Sequence, residues 1–176
     1  MKTILLWRHA KSAWGNAGLA DHERPLNHRG EVAADVMAAH IAALDTLPEL
    51  ILCSTAVRAR QTLTPLLDRL APAPPTSIET GLYLASEDAL LERLQALDDS
   101  VGSVLVIGHN DGMWLLASDL PRKGPAAALA SLRAKFPTGA LAAFQAPAER
   151  WQDVKLGQST LVSLVKPRDL ADDVGQ

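Results

Sequence analysis

Three short runs of isoleucine, leucine and valine constrain the fold of this chain more than any other feature. They are Thr3–Trp7, Leu50–Cys53 and Ser103–Ile107. The first run is followed at once by Arg8 and His9, and the third, one glycine later, by His109. Such runs are typical of strands buried on both faces of a parallel sheet. Because the carboxyl ends of parallel strands share one sheet edge, where open α/β folds bind ligands, we expect these polar side chains to lie together.

Helical periodicity between the runs predicts helices that alternate with the strands. Asn27 is a good N-cap for a helix over residues 28–44, with an apolar stripe that would contain Val32 and Val36. A second helix would be capped by Ser54 or Thr55 and kinked or broken at Pro65. The other expected elements are a helix capped by Ser86, a helix that begins after His109 and a weaker strand at Thr76–Glu79.

The last third of the chain predicts a different kind of pairing. Gly139–Gln145 and Thr160–Lys166 are expected to form a closing pair, at least one of them an antiparallel edge strand, while Gly15–Leu19 and Arg122–Pro125 are expected to be loops. The predicted fold is α/β, a three-layer α/β/α sandwich with a mainly parallel central sheet and an antiparallel edge strand. We expect one domain over residues 1–176.

Composition argues against several classes of protein. A formal net charge of −3 gives no indication of binding to nucleic acid or to an acidic membrane surface. Cys53 is the only cysteine, which excludes an internal disulfide and favours a packed thiol. No apolar stretch approaches the ~18 residues of a membrane span, and the first run is too short for a secretory signal. We therefore expect a cytoplasmic protein.

The polar residues that follow the runs suit the chemistry of a phosphoryl group. Without a metal, such a group requires a nucleophile, cations for its equatorial oxygens and a proton for the leaving group. The planar fork of arginine binds two phosphate oxygens and keeps its charge. A neutral histidine ring is nucleophilic near pH 7, and adjacent arginines favour that neutral form. Arg8, His9, Arg58 and His109 therefore indicate an anion site that contains a nucleophile.

Three segments resemble motifs of the histidine phosphatase superfamily, which includes the cofactor-dependent phosphoglycerate mutases. Leu6–Ser12 is similar to its arginine–histidine–glycine signature, and Ser54–Thr62 and Gly108–Asn110 are similar to its second and third motifs, in the same order. Two further segments, Arg24–Gly30 and Lys166–Leu170, resemble the small SixA-like branch, whose namesake removes phosphate from protein histidines. The resemblance implies a phosphoglycerate mutase-like fold from about residue 3 to residue 170.

The resemblance also implies a role for each matching residue. His9 would attack phosphorus and become a phosphohistidine, which water would later hydrolyse. Three side chains would surround the phosphoryl oxygens, namely Arg8, Arg58 and His109. Three more would bind the substrate, namely Arg24 as a cation and Ser12 and Asn110 through hydrogen bonds. No metal ion or organic cofactor is implied.

Two positions depart from the family pattern. Ala10 stands where a glycine is usual, which implies an ordinary backbone conformation there. Mutase-like members carry a carboxylate proton donor where this chain has Gly81–Ala85, a segment without one. Asp21, which matches an acidic position of SixA-like members, is the preferred candidate for the acid, and Glu23 is the other. A phosphohistidine substrate needs less help from an acid, because its leaving imidazole can already carry a proton.

These residues are compatible with four functions. A protein phosphohistidine phosphatase is favoured, since the short chain has little sequence from which to build a cap over the pocket, and its partner would be a phosphorylated protein. The alternatives are a small-molecule phosphomonoesterase, a low-turnover phosphate-binding regulatory module, and a metal hydrolase with His9, His22 and His109 as ligands. The adjacent arginines argue against a metal. We further expect Trp14 at the mouth of the pocket and an exposed His22.

Overall fold

The computed structural model describes residues 1–174 and confirms the α/β class. One sheet contains all the strands: β1 (Lys2–Arg8), β2 (Leu50–Ser54), β3 (Thr76–Glu79), β4 (Ser103–Gly108), β5 (Pro121–Lys123), β6 (Leu141–Ala146) and β7 (Ser159–Val165). The helices are α1 (His28–Ala42), α2 (Val57–Leu67), α3 (Glu87–Gln95), α4 (Gly112–Asp119), α5 (Ala126–Ala134) and α6 (Pro167–Val174). The alternation of strands and helices predicted for the first two thirds is confirmed.

The order of strands places the three apolar runs side by side. The sheet has the order β3-β2-β4-β1-β6-β7-β5, and β4 pairs in parallel with both β1 and β2. The final residues of β1 and β4, Arg8 and Gly108, lie opposite each other in the register. The segments that follow these strands, including His9 and His109, therefore begin at neighbouring points on one edge.

The closing pair forms, but it does not lie at the edge of the sheet. β6 is antiparallel to both β1 and β7, so the antiparallel strand is internal. The edge beyond β7 is β5, a parallel partner that includes Arg122 and Lys123, two residues that were expected to lie in a loop. Pro121 at its start cannot donate a ladder hydrogen bond, which suits an edge position. Three residues are too few to show a strand periodicity in the sequence.

The helix boundaries follow the capping residues in one case and not in another. The Asn27 side chain accepts a hydrogen bond from the Gly30 amide, which confirms the predicted start of α1. The N-cap of α2 is Ala56 instead of Ser54 or Thr55, and the Ser54 hydroxyl accepts from the Ala56 amide just before the helix begins. Pro65 lies in the last turn of α2, which continues to Leu67, so the proline precedes the end of the helix without breaking it.

The apolar side chains pack on both faces of the sheet, which gives the three layers. Successive residues of β1 alternate between the two cores, with Leu6 in one and Trp7 in the other. On α1 the buried residues include Met37 and Ile41, whereas Val32 of the predicted stripe is 51% exposed. Burial raises the pKa of Cys53 to about 12, as expected for a packed thiol. Within residues 1–174 no helix is long and apolar enough to cross a membrane.

Candidate active site

His9 directly follows β1, and its ring has one nitrogen in a hydrogen bond and the other facing a pocket. Its amide donates to the Gly108 carbonyl at 3.1 Å, and its Nδ1 lies 2.7 Å from the carbonyl oxygen of Ala10. A carbonyl oxygen only accepts, so Nδ1 carries the hydrogen and Nε2 keeps its lone pair. Burial lowers the pKa of His9 to about 3, against its hydrogen bond to Ala10. At pH 7 the ring is therefore a neutral nucleophile at Nε2.

Arg58 lies in the first turn of α2 and reaches the same point. Its Nε is 3.4 Å from Nε2 of His9, and the side chain is almost completely buried. The far side of the guanidinium donates to Asp21, from Nη1 to the backbone oxygen at 2.7 Å and from Nη2 to Oδ2 at 3.0 Å. This arrangement puts a permanent positive charge beside the nucleophile without protonating it.

His109 follows β4 and faces His9. The two ring centroids are 5.0 Å apart, and Nε2 of His109 lies 2.7 Å from the hydroxyl of Ser54 at the end of β2. The Ser54 oxygen accepts from the Ala56 amide, which leaves its hydrogen free to donate to His109. Burial, followed by the charge of Arg58, lowers the pKa of His109 to about 4. Donation by Ser54 leaves Nδ1 of the neutral His109 ring as the protonated nitrogen.

Arg8 and Asn110 both bind the backbone carbonyl of Phe136, a residue that the sequence did not indicate. Nη1 of Arg8 donates to the Phe136 oxygen at 3.0 Å, and Nδ2 of Asn110 donates to the same oxygen at 2.9 Å. Nε of Arg8 and Nδ1 of His109 are buried without a hydrogen-bond partner among the described residues. Buried donors of this kind favour an acceptor-rich ligand, because an unpaired donor raises the free energy of the site.

The opposite wall comes from the loop after β1. Arg24 donates from Nη1 to the Ser12 hydroxyl at 2.6 Å and from Nε to Oδ1 of Asp21 at 3.1 Å. Trp14 is 79% exposed, and the Arg24 guanidinium lies 3.6 Å from its ring centroid. Trp14 thus lies at the mouth of the pocket, where it was expected, and holds Arg24 by stacking.

Asp21 is the residue that the sequence favoured as the proton donor. Its surroundings in the structure keep its carboxyl group ionised. The hydroxyl of Tyr83 donates to Oδ2, and this bond, followed by those from Arg58 and Arg24, holds the pKa of Asp21 well below its usual range. In this arrangement Asp21 has no proton to donate. Its carboxylate instead connects the two arginines and orders the loop that carries it.

Tyr83 contacts both Asp21 and His109, and the sequence did not indicate its place beside the site. It belongs to Gly81–Ala85, the segment noted for its missing carboxylate, and it supplies the only polar side chain there. Its ring lies edge-on to His109 with centroids 5.4 Å apart. The next residue, Leu84, lines the pocket with a φ of 51°, a left-handed conformation unusual for leucine. A side chain on Gly112 would come within 1.9 Å of the Ala85 oxygen, so α4 packs directly on this segment.

Thr62 of the second motif binds the loop that follows His9. The Thr62 hydroxyl accepts from the Ala10 amide at 3.0 Å and donates to the Arg58 carbonyl at 2.7 Å. The backbone at Ala10 is ordinary, since Leu84 is the only described non-glycine residue with a positive φ. Gly30 lets α1 approach the loop, because a Cβ there would lie 2.0 Å from the Lys11 oxygen. Thr62 and Gly30 thus help to hold the loop after His9 in place, although neither lines the pocket.

His22 differs from expectation. Its side chain is 34% exposed and bonded, with Nε2 2.8 Å from the Thr55 hydroxyl and Nδ1 3.0 Å from Oε1 of Glu23. The expected exposed side chain of His22 is thus only partly exposed, because Thr55 and Glu23 bind its ring. The described part of the chain holds no group of three or more His, Cys, Asp or Glu side chains placed to bind a metal ion.

Two groups of residues thus surround an open pocket of about 420 Å³. The floor consists of Arg8, His9, Arg58 and His109, and the Ser54 hydroxyl holds His109 from outside the pocket. The rim consists of Ser12, Trp14, Asp21 and Arg24, and the Tyr83 hydroxyl holds Asp21 from outside the pocket. The floor combines an unprotonated nucleophile with positive charge, which suits attack on a bound oxyanion.

Comparison with known proteins agrees with this chemistry. The sequence model of the histidine phosphatase superfamily, branch 1, matches residues 4–83. An uncharacterized protein of Mycobacterium tuberculosis is 37% identical over 163 residues, which cover 92% of this chain and 99% of the relative. An uncharacterized protein of Mycobacterium leprae is 32% identical over 165 residues, covering 92% of this chain and 99% of the relative.

Solved structures show the same fold over nearly the whole chain. SixA from Nakamurella multipartitia superposes with a TM-score of 0.81 at 25% identity, covering 94% of this chain and 96% of that one. The protein histidine phosphatase SixA in complex with tungstate gives a TM-score of 0.75 at 26% identity, covering 96% and 99%. The chain therefore belongs to the SixA-like branch of the histidine phosphatase superfamily and is a phosphatase.

Proposed function

We propose that this phosphatase hydrolyses phosphohistidine on a partner protein, through a covalent phosphohistidine at its own His9. The observation that carries the proposal is the state of His9. Its Nδ1 is fixed by the Ala10 carbonyl, while its Nε2 faces an open pocket beside Arg58. A ring held in this tautomer can attack without first losing a proton.

In the first step the lone pair of Nε2 forms a bond to phosphorus, and the phosphorus–nitrogen bond of the substrate breaks. The electron pair of that bond stays on the leaving imidazole. Arg8, Arg58 and His109 would stabilise the equatorial oxygens, with Nε of Arg8 and Nδ1 of His109 as donors. In the second step water attacks phosphorus, the bond to Nε2 breaks, and inorganic phosphate and a proton leave.

The leaving imidazole explains how the site functions with an ionised Asp21. An alkyl alcohol leaves as a strong base and requires a proton donor, whereas an imidazole protonated on its other nitrogen leaves as a neutral ring. Asp21, bound by Tyr83 and the two arginines, would then orient Arg58 and Arg24 instead of supplying a proton. The missing carboxylate in Gly81–Ala85 is consistent with such a substrate.

The openness of the pocket supports a protein substrate. The rim is formed by the one segment between β1 and α1, and Trp14 at the mouth is largely exposed to solvent. A histidine on the surface of a partner could enter such a pocket, whereas a small metabolite is usually held by a more enclosed one. A solved relative of the same fold was determined in complex with tungstate, an oxyanion of similar shape to phosphate, which supports an oxyanion ligand for this chain.

Phosphate release from a phosphohistidine peptide and from p-nitrophenyl phosphate tests the proposal. We expect release from the peptide, abolished by His9→Ala and retained in His28→Ala, a control at an exposed histidine. Release from the aryl ester alone would replace the proposal with a small-molecule phosphomonoesterase. No release from either substrate by folded protein would instead support a phosphate-binding module.

A further inference from the structure

A second cavity, of about 220 Å³, lies beside the active-site pocket and is lined by positive charge. Five of its lining residues are cations drawn from separate parts of the chain, namely Lys11, Arg29, Lys135, Lys166 and Arg168. None of the described residues that line it is acidic. We call this feature the cationic cavity.

The charge of the cavity contrasts with that of the whole protein. The chain has 17 lysines and arginines against 20 aspartates and glutamates, yet five of the cations converge on this one surface. Lys11, Arg29 and Lys135 are exposed, and none of the three forms a salt bridge with a carboxylate of the described residues. Unopposed like charges repel one another, so an anionic ligand would lower the free energy of this surface.

The cavity is a neighbour of the active-site pocket. Lys11 and Thr138 line both, and Lys11 follows the nucleophile His9 by two residues. Lys166 also reaches inward, where its Nζ donates to the Ser131 hydroxyl at 2.7 Å. A ligand that places a phosphoryl group on His9 and extends past Lys11 would therefore carry its next groups over the cationic cavity.

We propose that the cationic cavity binds acidic side chains of the partner protein that lie close to its phosphohistidine. This inference rests on the proposed function. It further specifies that the substrate is negatively charged next to its phosphohistidine. No aromatic side chain among the described residues lines the cavity, which disfavours a nucleobase there. A compact metabolite in the pocket would not extend past Lys11, whereas a polypeptide would.

Two charge-matched double variants test the proposal. K135Q/R168Q removes one lysine and one arginine from the cavity, and R122Q/K123Q removes the same pair from strand β5, beside Met1 at the amino-terminal end of β1. The substrates are a phosphohistidine peptide flanked by Asp and Glu, the same peptide with Asn and Gln, and p-nitrophenyl phosphate.

With the acidic peptide we expect K135Q/R168Q to raise KM about five- to tenfold, with kcat unchanged, since two partly exposed ion pairs are lost. The neutral peptide and the aryl ester should be hydrolysed as by wild type, and R122Q/K123Q should match wild type on all three substrates. Added salt should remove most of the preference for the acidic peptide. An equal effect on both peptides, or an equal effect of R122Q/K123Q, would overturn the proposal.

Binding of the unphosphorylated acidic peptide separates this proposal from the proposed function. If wild type hydrolyses only the aryl ester, the proposed function fails. In that case, binding of the acidic peptide that K135Q/R168Q weakens about five- to tenfold would still support the cavity as a carboxylate site. Binding of tripolyphosphate without binding of the acidic peptide would contradict it and would indicate a site for the phosphates of a small molecule.

Discussion

The floor and the rim of the pocket are built in different ways, although both contact the same ligand position. In the floor, His9 and His109 follow the ends of adjacent parallel strands and both are buried. In the rim, Asp21 and Trp14 lie between β1 and α1, and their side chains are 45% and 79% exposed. Backbone pairing thus fixes the two histidines of the proposed reaction, whereas side-chain contacts fix the groups proposed to surround the substrate.

This difference assigns the proposed chemical step to the floor and the recognition of the substrate to the rim. Burial in the floor lowers the pKa of both histidines and keeps their rings neutral. The rim is open, so its contacts can change with the substrate at little cost to the fold. We therefore expect substitutions in the floor to change kcat and substitutions in the rim to change mainly KM.

Apart from the loss of His9 itself, the largest effect is expected for Arg58→Lys. A lysine retains one charge but cannot reach His9 and Asp21 together as the arginine fork does. We expect kcat/KM for p-nitrophenyl phosphate to fall about 10²–10³-fold, the loss typical of removing one preorganised donor. Arg60→Lys, on the same helix but exposed, is the matched control and should change little. A fall of less than about threefold in Arg58→Lys would place this residue outside the reaction.

A smaller effect is expected for Gly30→Ala, which joins floor and rim. The new Cβ would lie 2.0 Å from the Lys11 oxygen, so α1 or the loop after His9 must move. We expect a loss of about 1–3 kcal/mol in the free energy of unfolding and a lower kcat. Gly81→Ala, which meets no atom within 4 Å, is the control. Unchanged unfolding and kinetics in Gly30→Ala would show that this packing does not position the loop.

The two buried histidines of the floor contribute to the pH dependence of stability. The pKa of His109 is about 4 in the folded protein, below the ~6.5 of an unfolded histidine, and that of His9 is lower still. Between pH 6.5 and 4 the unfolded chain binds more protons, so the free energy of unfolding should fall as the pH falls and should be fully restored above 6.5.

Urea unfolding across this range measures the effect. We expect His109→Asn to reduce the slope by up to about one proton. His28→Asn, at a ring that is 88% exposed, is the control and should keep the wild-type slope. An unchanged slope in His109→Asn would mean that this histidine titrates freely in the folded protein.

The smallest effect is expected for Trp14→Ala in the rim. The substitution removes the ring that stacks on Arg24. A stacking contact at an exposed site contributes about 0.5–1 kcal/mol, which corresponds to a two- to fivefold rise in KM for a phosphohistidine peptide. Trp14→Phe should recover most of this loss. A large fall in kcat in Trp14→Ala would mean that the rim takes part in the chemical step.

The same difference explains what the sequence could predict. Apolar runs that end in His9 and His109 specify parallel strands, and the geometry of a parallel sheet then brings the two rings together. The rim depends on contacts between distant residues, such as Tyr83 with Asp21, sixty-two positions apart. No local pattern encodes such a contact, so the sequence placed Asp21 near the site but not the groups that keep it ionised.

The fold shows a similar division. The strands and α1 follow from periodicity and from the Asn27 cap. The edge strand β5 does not, because three residues that pair only with β7 lack a periodic signal. The cap of α2 was misplaced because Ser54 uses its hydroxyl for His109, and the helix begins only after Ala56.

The central claim is that Nε2 of His9 carries the phosphoryl group during turnover. Rapid quenching with a ³²P-labelled phosphohistidine peptide, followed by peptide mapping, tests it most directly. The account predicts an acid-labile, base-stable label on His9 that forms before phosphate is released and decays at the rate of turnover. Turnover without a label on His9, or with the label on another residue, would contradict it.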